Sequence, residues 1–203
     1  MRVVVAREEQ LNPKEGQDYN SMMNIELESM AIQMPAFAGH PNRETFRGVL
    51  TLVDVVSDKA PSGARGHRVV LTRHAAETAL ASLIGMALDY SPSLDRHDAQ
   101  RKVGVITSAE IVGKKLELGG YLFAKDFPEI VREIERSENW PISASAGKYT
   151  RPGSCLGMSY EIADARIADM KAKVWTLTKV TFTGAAILRR DKAAYRDTWI
   201  EMA

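Results

Sequence analysis

The strongest constraint on the fold lies in the last third of the chain. Leu156-Gly157-Met158-Ser159-Tyr160-Glu161-Ile162 opens a strand, and a short charged connection leads into a second. That second run, Val174-Trp175-Thr176-Leu177-Thr178-Lys179-Val180-Thr181-Phe182-Thr183-Gly184-Ala185-Ala186-Ile187-Leu188, is rich in β-branched and aromatic residues, which suit a pleated surface. Two long strand signals in succession commit this part of the chain to a sheet.

The rest of the chain adds more strands and two helices. Residues 7–24 are polar, with Pro13 and Gly16, and read as a loop or mobile arm. Apolar residues then alternate imperfectly over 25–34, and 45–56 holds the run Val49-Leu50-Thr51-Leu52-Val53; both read as strands. A short strand over 67–71 precedes Thr72, a good N-cap for a helix over 73–84 with Ala76, Ala79, Leu80 and Leu83 as its apolar stripe and Gly85 as its stop. Residues 85–90 suggest another strand. Strands over 103–111 and 115–124 flank Val112-Gly113-Lys114 as a hairpin. Asp126 and Pro128 start a second helix, ended by Trp140-Pro141. Residues 142–150 read as a strand or an irregular insertion. The sum is α+β and mainly β: a small, strongly bent sheet or barrel with helices packed around it. The expected organisation is an arm over 1–24 and a single domain over 25–203.

Composition narrows the function classes. The 203 residues are 45% hydrophobic and 26% charged, with a net charge of +1. That balance supports a folded core and supplies no global basic bias for phosphate contacts. No apolar run reaches the roughly 20 residues of a membrane span, and the charged N-terminus does not read as a signal peptide. The single cysteine, Cys155, allows no intramolecular disulfide. No two of the four histidines are three or four positions apart, so a structural zinc site is not expected.

Ser159 stands at the mouth of a strand, and His97 stands in Asp95-Arg96-His97-Asp98, just before Val103-Gly104-Val105-Ile106. A serine is a poor nucleophile at neutral pH. It needs a base within hydrogen-bond reach and a third group to orient that base. A strand end held by its ladder and a loop leaning over it can supply the first two. Without their flanks, the two residues read as an ordinary strand-end serine and a solvent-facing loop histidine.

The flanks carry a resemblance. His67-Arg68-Val69-Val70-Leu71-Thr72, Arg96-His97-Asp98 running into Lys102-Val103-Gly104-Val105-Ile106, Gly120-Tyr121-Leu122-Phe123 before Asp126-Phe127-Pro128-Glu129, Gly157-Met158-Ser159-Tyr160-Glu161, and Phe182-Thr183-Gly184-Ala185-Ala186-Ile187-Leu188 with Ala193-Ala194-Tyr195 occur in that order. Together they resemble the prohead (capsid maturation) serine proteases of tailed phages, whose fold is like that of the herpesvirus assemblins. The resemblance implies His97 as base and Ser159 as nucleophile. It implies cleavage of scaffold and major capsid protein segments, and of the protease itself, inside the assembling prohead in the host cytoplasm. No metal, organic cofactor, nucleic acid or membrane is implied. A homodimer is one arrangement it allows, since the viral relatives dimerise through helices.

The chain departs from the family pattern twice. About 18 residues separate the second helix from Gly157-Met158-Ser159, and they contain Ser143 and Ser145; Ser145 is a rival nucleophile. The family's third member lies on the following strand, where Thr181-Phe182-Thr183-Gly184 offers no carboxylate. Glu161, Asp98 or Asp164 remain as candidates to orient His97. A serine enzyme lacking one triad member retains roughly 10³–10⁴-fold catalysis over water. Two other readings stand beside the protease: a catalytically degenerate capsid-assembly or scaffolding protein on the same fold, and a generic β-barrel binding module.

Overall fold

The computed structural model describes residues 39–138 and 155–203. The arm, the strand expected over 25–34, the segment over 142–150, and Ser143 and Ser145 lie outside the described residues. Among the described residues, eight strands and two α-helices follow one another: β1 (Arg43–Leu52), β2 (Arg68–Leu71), α1 (Arg73–Ala79), β3 (Ala87–Tyr90), β4 (Lys102–Val112), β5 (Lys115–Phe123), α2 (Pro128–Glu138), β6 (Leu156–Ile167), β7 (Val174–Arg189) and β8 (Trp199–Met202). The fold is α+β and mainly β, as the sequence pattern implies. No helix among the described residues is long and apolar enough to cross a membrane.

The strands form one sheet in the order β2-β7-β3-β4-β5-β1-β8, with β6 paired to β7. β7 is the spine. Its 16 residues pair antiparallel with β6 and in parallel with both β2 and β3. The sheet curls, because its far members meet: Thr198 Oγ1, just before β8, accepts the Met158 N–H of β6 at 3.1 Å. The concave face holds the core. Phe46 and Leu50 from β1, Ile106 from β4, Leu122 from β5, Leu156 and Met158 from β6, and Phe182 and Ile187 from β7 are all buried there with Leu83 and Ile134.

Two differences from the sequence reading have local causes. The first helix gives way after Ala79 to a 3-10 turn over Leu80–Leu83. Ser82 Oγ donates to the Ala79 carbonyl at 2.6 Å and accepts the Phe182 N–H at 2.9 Å. That N–H is available because the β6–β7 register slips between Glu161 and Ile162, leaving Thr183 as the extra residue on β7. The second difference is β8, which the sequence reading did not include. It is four residues long and borders β1, where Arg47 Nε meets Glu201 Oε1 at 2.6 Å.

Phe182 is 1% exposed and meets Tyr160 edge-to-face, with ring centroids 5.8 Å apart. Replacing it with alanine removes a buried ring that the surrounding sheet cannot close over. The expected loss is about 3–5 kcal/mol, read as a lower urea midpoint at unchanged slope. A loss under about 1 kcal/mol would show that the ring is not a core element.

Candidate active site

Residues directly opposed on neighbouring strands share a face of the sheet. Ser159 on β6 opposes Ala186 on β7, and Ala186 opposes Asp89 on β3. Asp89 in turn faces Lys102 on β4. One row across four strands therefore reads Ser159, Ala186, Asp89, Lys102. Two residues further along β6, on the same face, Glu161 opposes Gly184. This is the convex face, since the intervening Met158 and Tyr160 turn to the core, where Met158 is buried and Tyr160 meets Phe182.

Small residues on β7 leave the space that the site uses. A Cβ at Gly184 would lie 2.9 Å from Glu161 Oε2 and 3.2 Å from the Ala87 carbonyl oxygen. The Glu161 carboxylate thus rests on β7 where a side chain would otherwise stand. The glycine that offers no carboxylate for the third position is the residue that admits one from the neighbouring strand.

His97 arrives on the loop 91–101, which folds over this face and is tied down at both ends. The Arg189 N–H at the end of β7 donates to the Leu94 carbonyl at 2.7 Å, and the Arg101 N–H closes back on the Asp98 carbonyl at 3.0 Å. The decisive tie is central: the Asp98 N–H donates to Asp89 Oδ1 at 3.0 Å. This bond fixes the residue beside His97 to β3. Near the loop's start, the Tyr90 hydroxyl donates to Glu129 on α2, and the Arg101 guanidinium lies 6.0 Å from the Tyr90 ring centre. Burial pushes the Tyr90 phenol up and the Glu129 carboxylate adds to the shift, so the donor role is kept through neutral pH.

The imidazole is thereby held against two carboxylates. His97 Nδ1 is 3.2 Å from Glu161 Oε1 and 3.9 Å from Asp89 Oδ2. The ring thus bridges Glu161 on β6 and Asp89 on β3, on the strand face that carries Ser159. Asp89 is fully buried. Burial alone would raise its pKa, but His97, the Asp98 N–H and Lys102 Nζ at 3.3 Å outweigh it and hold the carboxyl below its ordinary value. Asp89 is therefore ionised at neutral pH.

Of the three carboxylates that the sequence offers for orienting His97, Glu161 is the one beside it. Asp98 Oδ1 accepts the Gln100 N–H at 3.0 Å, and Asp98 Oδ2 lies 3.9 Å from Arg101 Nε. Its carboxylate serves the loop's own return. Asp164 is exposed with φ of 51°, beyond Glu161, where the β6–β7 register slips again. Asp89 is the group that the sequence reading missed. Its signal was an acid inside the short strand Ala87-Leu88-Asp89-Tyr90, since a buried carboxylate is expensive unless it has partners. Cys155 lies at the foot of β6, its Sγ 3.4 Å from Ser137 Oγ on α2.

No protein-family model and no curated protein matches the chain. Among solved structures, the chain is similar to the KSHV protease, solved in complex with a hexapeptide phosphonate inhibitor, at 11% identity and a TM-score of 0.42. The match covers 79% of this chain, which spans 65% of the length of that protease.

Proposed function

We propose that the protein is a serine endopeptidase of capsid maturation, with Ser159 as nucleophile, His97 as general base and Glu161 as the acid that orients the base. One observation carries the reading: His97 Nδ1 faces Glu161 at 3.2 Å, and Glu161 shares its strand face with Ser159 two residues away. Once the Glu161 oxygen turns into line with Nδ1–H, Nε2 is left as the nitrogen for the serine proton, the tautomer that acyl transfer requires. Ser159 attacks the scissile carbonyl, and its proton passes to His97 and then to the leaving amine. Segments of a phage capsid shell and its scaffold are the proposed substrates, and the assembling particle is the proposed site of action. The ordered motifs around His97 and Ser159 support both.

A second reading has its own observation. Asp89 is buried and held by the Asp98 N–H and Lys102, and this clamp would hold the loop equally well in a scaffolding protein without chemistry.

Labelling with a fluorophosphonate probe, followed by peptide mapping, separates the two. The expected adduct is on Ser159 and is lost in His97→Ala. An adduct on Ser145 would move the nucleophile. If neither the purified protein nor the protein within assembling shells is labelled, the scaffold reading stands.

A further inference from the structure

The two carboxylates and one imidazole nitrogen that converge on the convex face also make a metal-binding set. Asp89, His97 and Glu161 come from β3, the loop 91–101 and β6, and one potential ligand atom from each lies within 4.8 Å of the others. Donor atoms at about 2.0–2.2 Å from a tetrahedral zinc ion stand roughly 3.3–3.6 Å apart. The widest pair therefore closes by up to roughly 1.5 Å when the three share one ion.

A second observation concerns the nitrogen itself. His97 Nδ1 is withdrawn from solvent and has no hydrogen-bond partner, although Glu161 Oε1 is 3.2 Å away. The oxygen is near but out of line for an N–H donor, and bond strength falls steeply with misalignment. A metal accepts the lone pair of the same nitrogen while drawing both carboxylates in. The local charge favours this occupant. Asp89 and Glu161 contribute two negative charges and Lys102 one positive charge, while Asp98 turns to Gln100 and Arg101. Carboxylates and ammonium together leave a net negative charge that a divalent cation would offset.

We propose that Asp89, His97 and Glu161 bind a divalent transition-metal ion of the zinc type. Imidazole with carboxylate suits zinc, cobalt or manganese, whereas magnesium and calcium prefer oxygen-only ligands. Three protein ligands leave one coordination position for water. Lys102, with a 38% exposed side chain, swings outward when the ion enters. Binding of the ion stands apart from the protease reading. Its consequence rests on that reading: an ion on Nδ1 draws Glu161 away from its orienting role and makes the occupied site inactive, so the metal acts as a reversible block.

The test is isothermal titration of the full-length chain with zinc chloride, and with magnesium chloride for comparison. One zinc per chain is expected, with magnesium at least 100-fold weaker. His97→Ala and Glu161→Gln should each weaken zinc binding at least 50-fold. His67→Ala, whose ring stacks on Trp175 at 4.4 Å, should leave it unchanged. Lys102→Ala should tighten it several-fold, because the competing ammonium is gone. Asp89→Asn also removes the clamp on the loop, so His97→Ala and Glu161→Gln are the deciding variants. Zinc binding that is absent, or equal in wild type, His97→Ala and Glu161→Gln, overturns the site. Zinc should also slow fluorophosphonate labelling of Ser159, and a chelator should restore it. Labelling that never occurs while one zinc binds would remove the protease and keep the metal site.

Discussion

Alanine at Ser159 is expected to abolish cleavage of co-assembled shell protein, with a loss on the order of 10⁴–10⁶ in turnover. The hydroxyl is the only atom the substitution removes. Ser159 is half-buried on a strand paired over its length with β7, so folding should be untouched. His97→Ala should lose about as much, and the double variant should lose no more, because the members of such a site act as one unit. Glu161→Gln should cost less, on the order of 10²–10⁴. It keeps the shape over Gly184 but replaces the charge beside Nδ1, and the ionised Asp89 remains 3.9 Å from that nitrogen. Processing would be followed by mass spectrometry of assembled particles. A Ser159→Ala protein that matures its particles at the normal rate would end the assignment of Ser159. Normal processing in Ser159→Ala with loss in Ser145→Ala would transfer the role to Ser145.

The local parts of this structure were legible in the sequence, and the parts that depend on register were not. The long run into β7 announces itself through β-branched residues, and the β4–β5 hairpin through Val112-Gly113-Lys114. Thr72 caps α1 as its residue type suggests, accepting the Ala75 N–H at 3.2 Å. The row from Ser159 through Ala186 to Asp89 is different in kind. It exists only because β3 lies parallel to β7 in one register, and these strands are separated by most of the domain. A slip of one residue would turn Asp89 to the core and Leu88 outward. Glu161 was one of three carboxylates with equal standing until the β6–β7 register put it opposite Gly184. β8 escaped notice for a simpler reason: a four-residue strand has too few alternations to show a period.

Substituting Gly120 with alanine should be the most damaging methyl group that can be added to the β4–β5 hairpin. Its neighbour provides the control. A Cβ at Gly120 would lie 2.1 Å from the Val105 carbonyl oxygen and 2.8 Å from Phe46 Cε1. The first obstacle is backbone of the paired strand β4. The second is a ring that is 2% exposed and opposes Gly120 from β1. Neither can move without displacing a strand on either side of β5. Overpacking of this kind costs about 1–3 kcal/mol where side chains can adjust, so a backbone obstacle should cost at least about 3 kcal/mol, a large share of the roughly 5–15 kcal/mol that holds a domain folded. At Gly119 the added Cβ meets Ser108 Oγ at 2.6 Å. That hydroxyl belongs to an exposed residue and can rotate away, so Gly119→Ala should change stability by less than about 1 kcal/mol. Both variants replace glycine with alanine in one strand, which cancels the change in backbone entropy between them. A urea midpoint more than about 1 M lower for Gly120→Ala than for Gly119→Ala is therefore expected. Equal midpoints would show that β5 is not wedged between β1 and β4. The site would feel the same wedge, because β4 carries Lys102 and borders β3, where Asp89 holds the His97 loop.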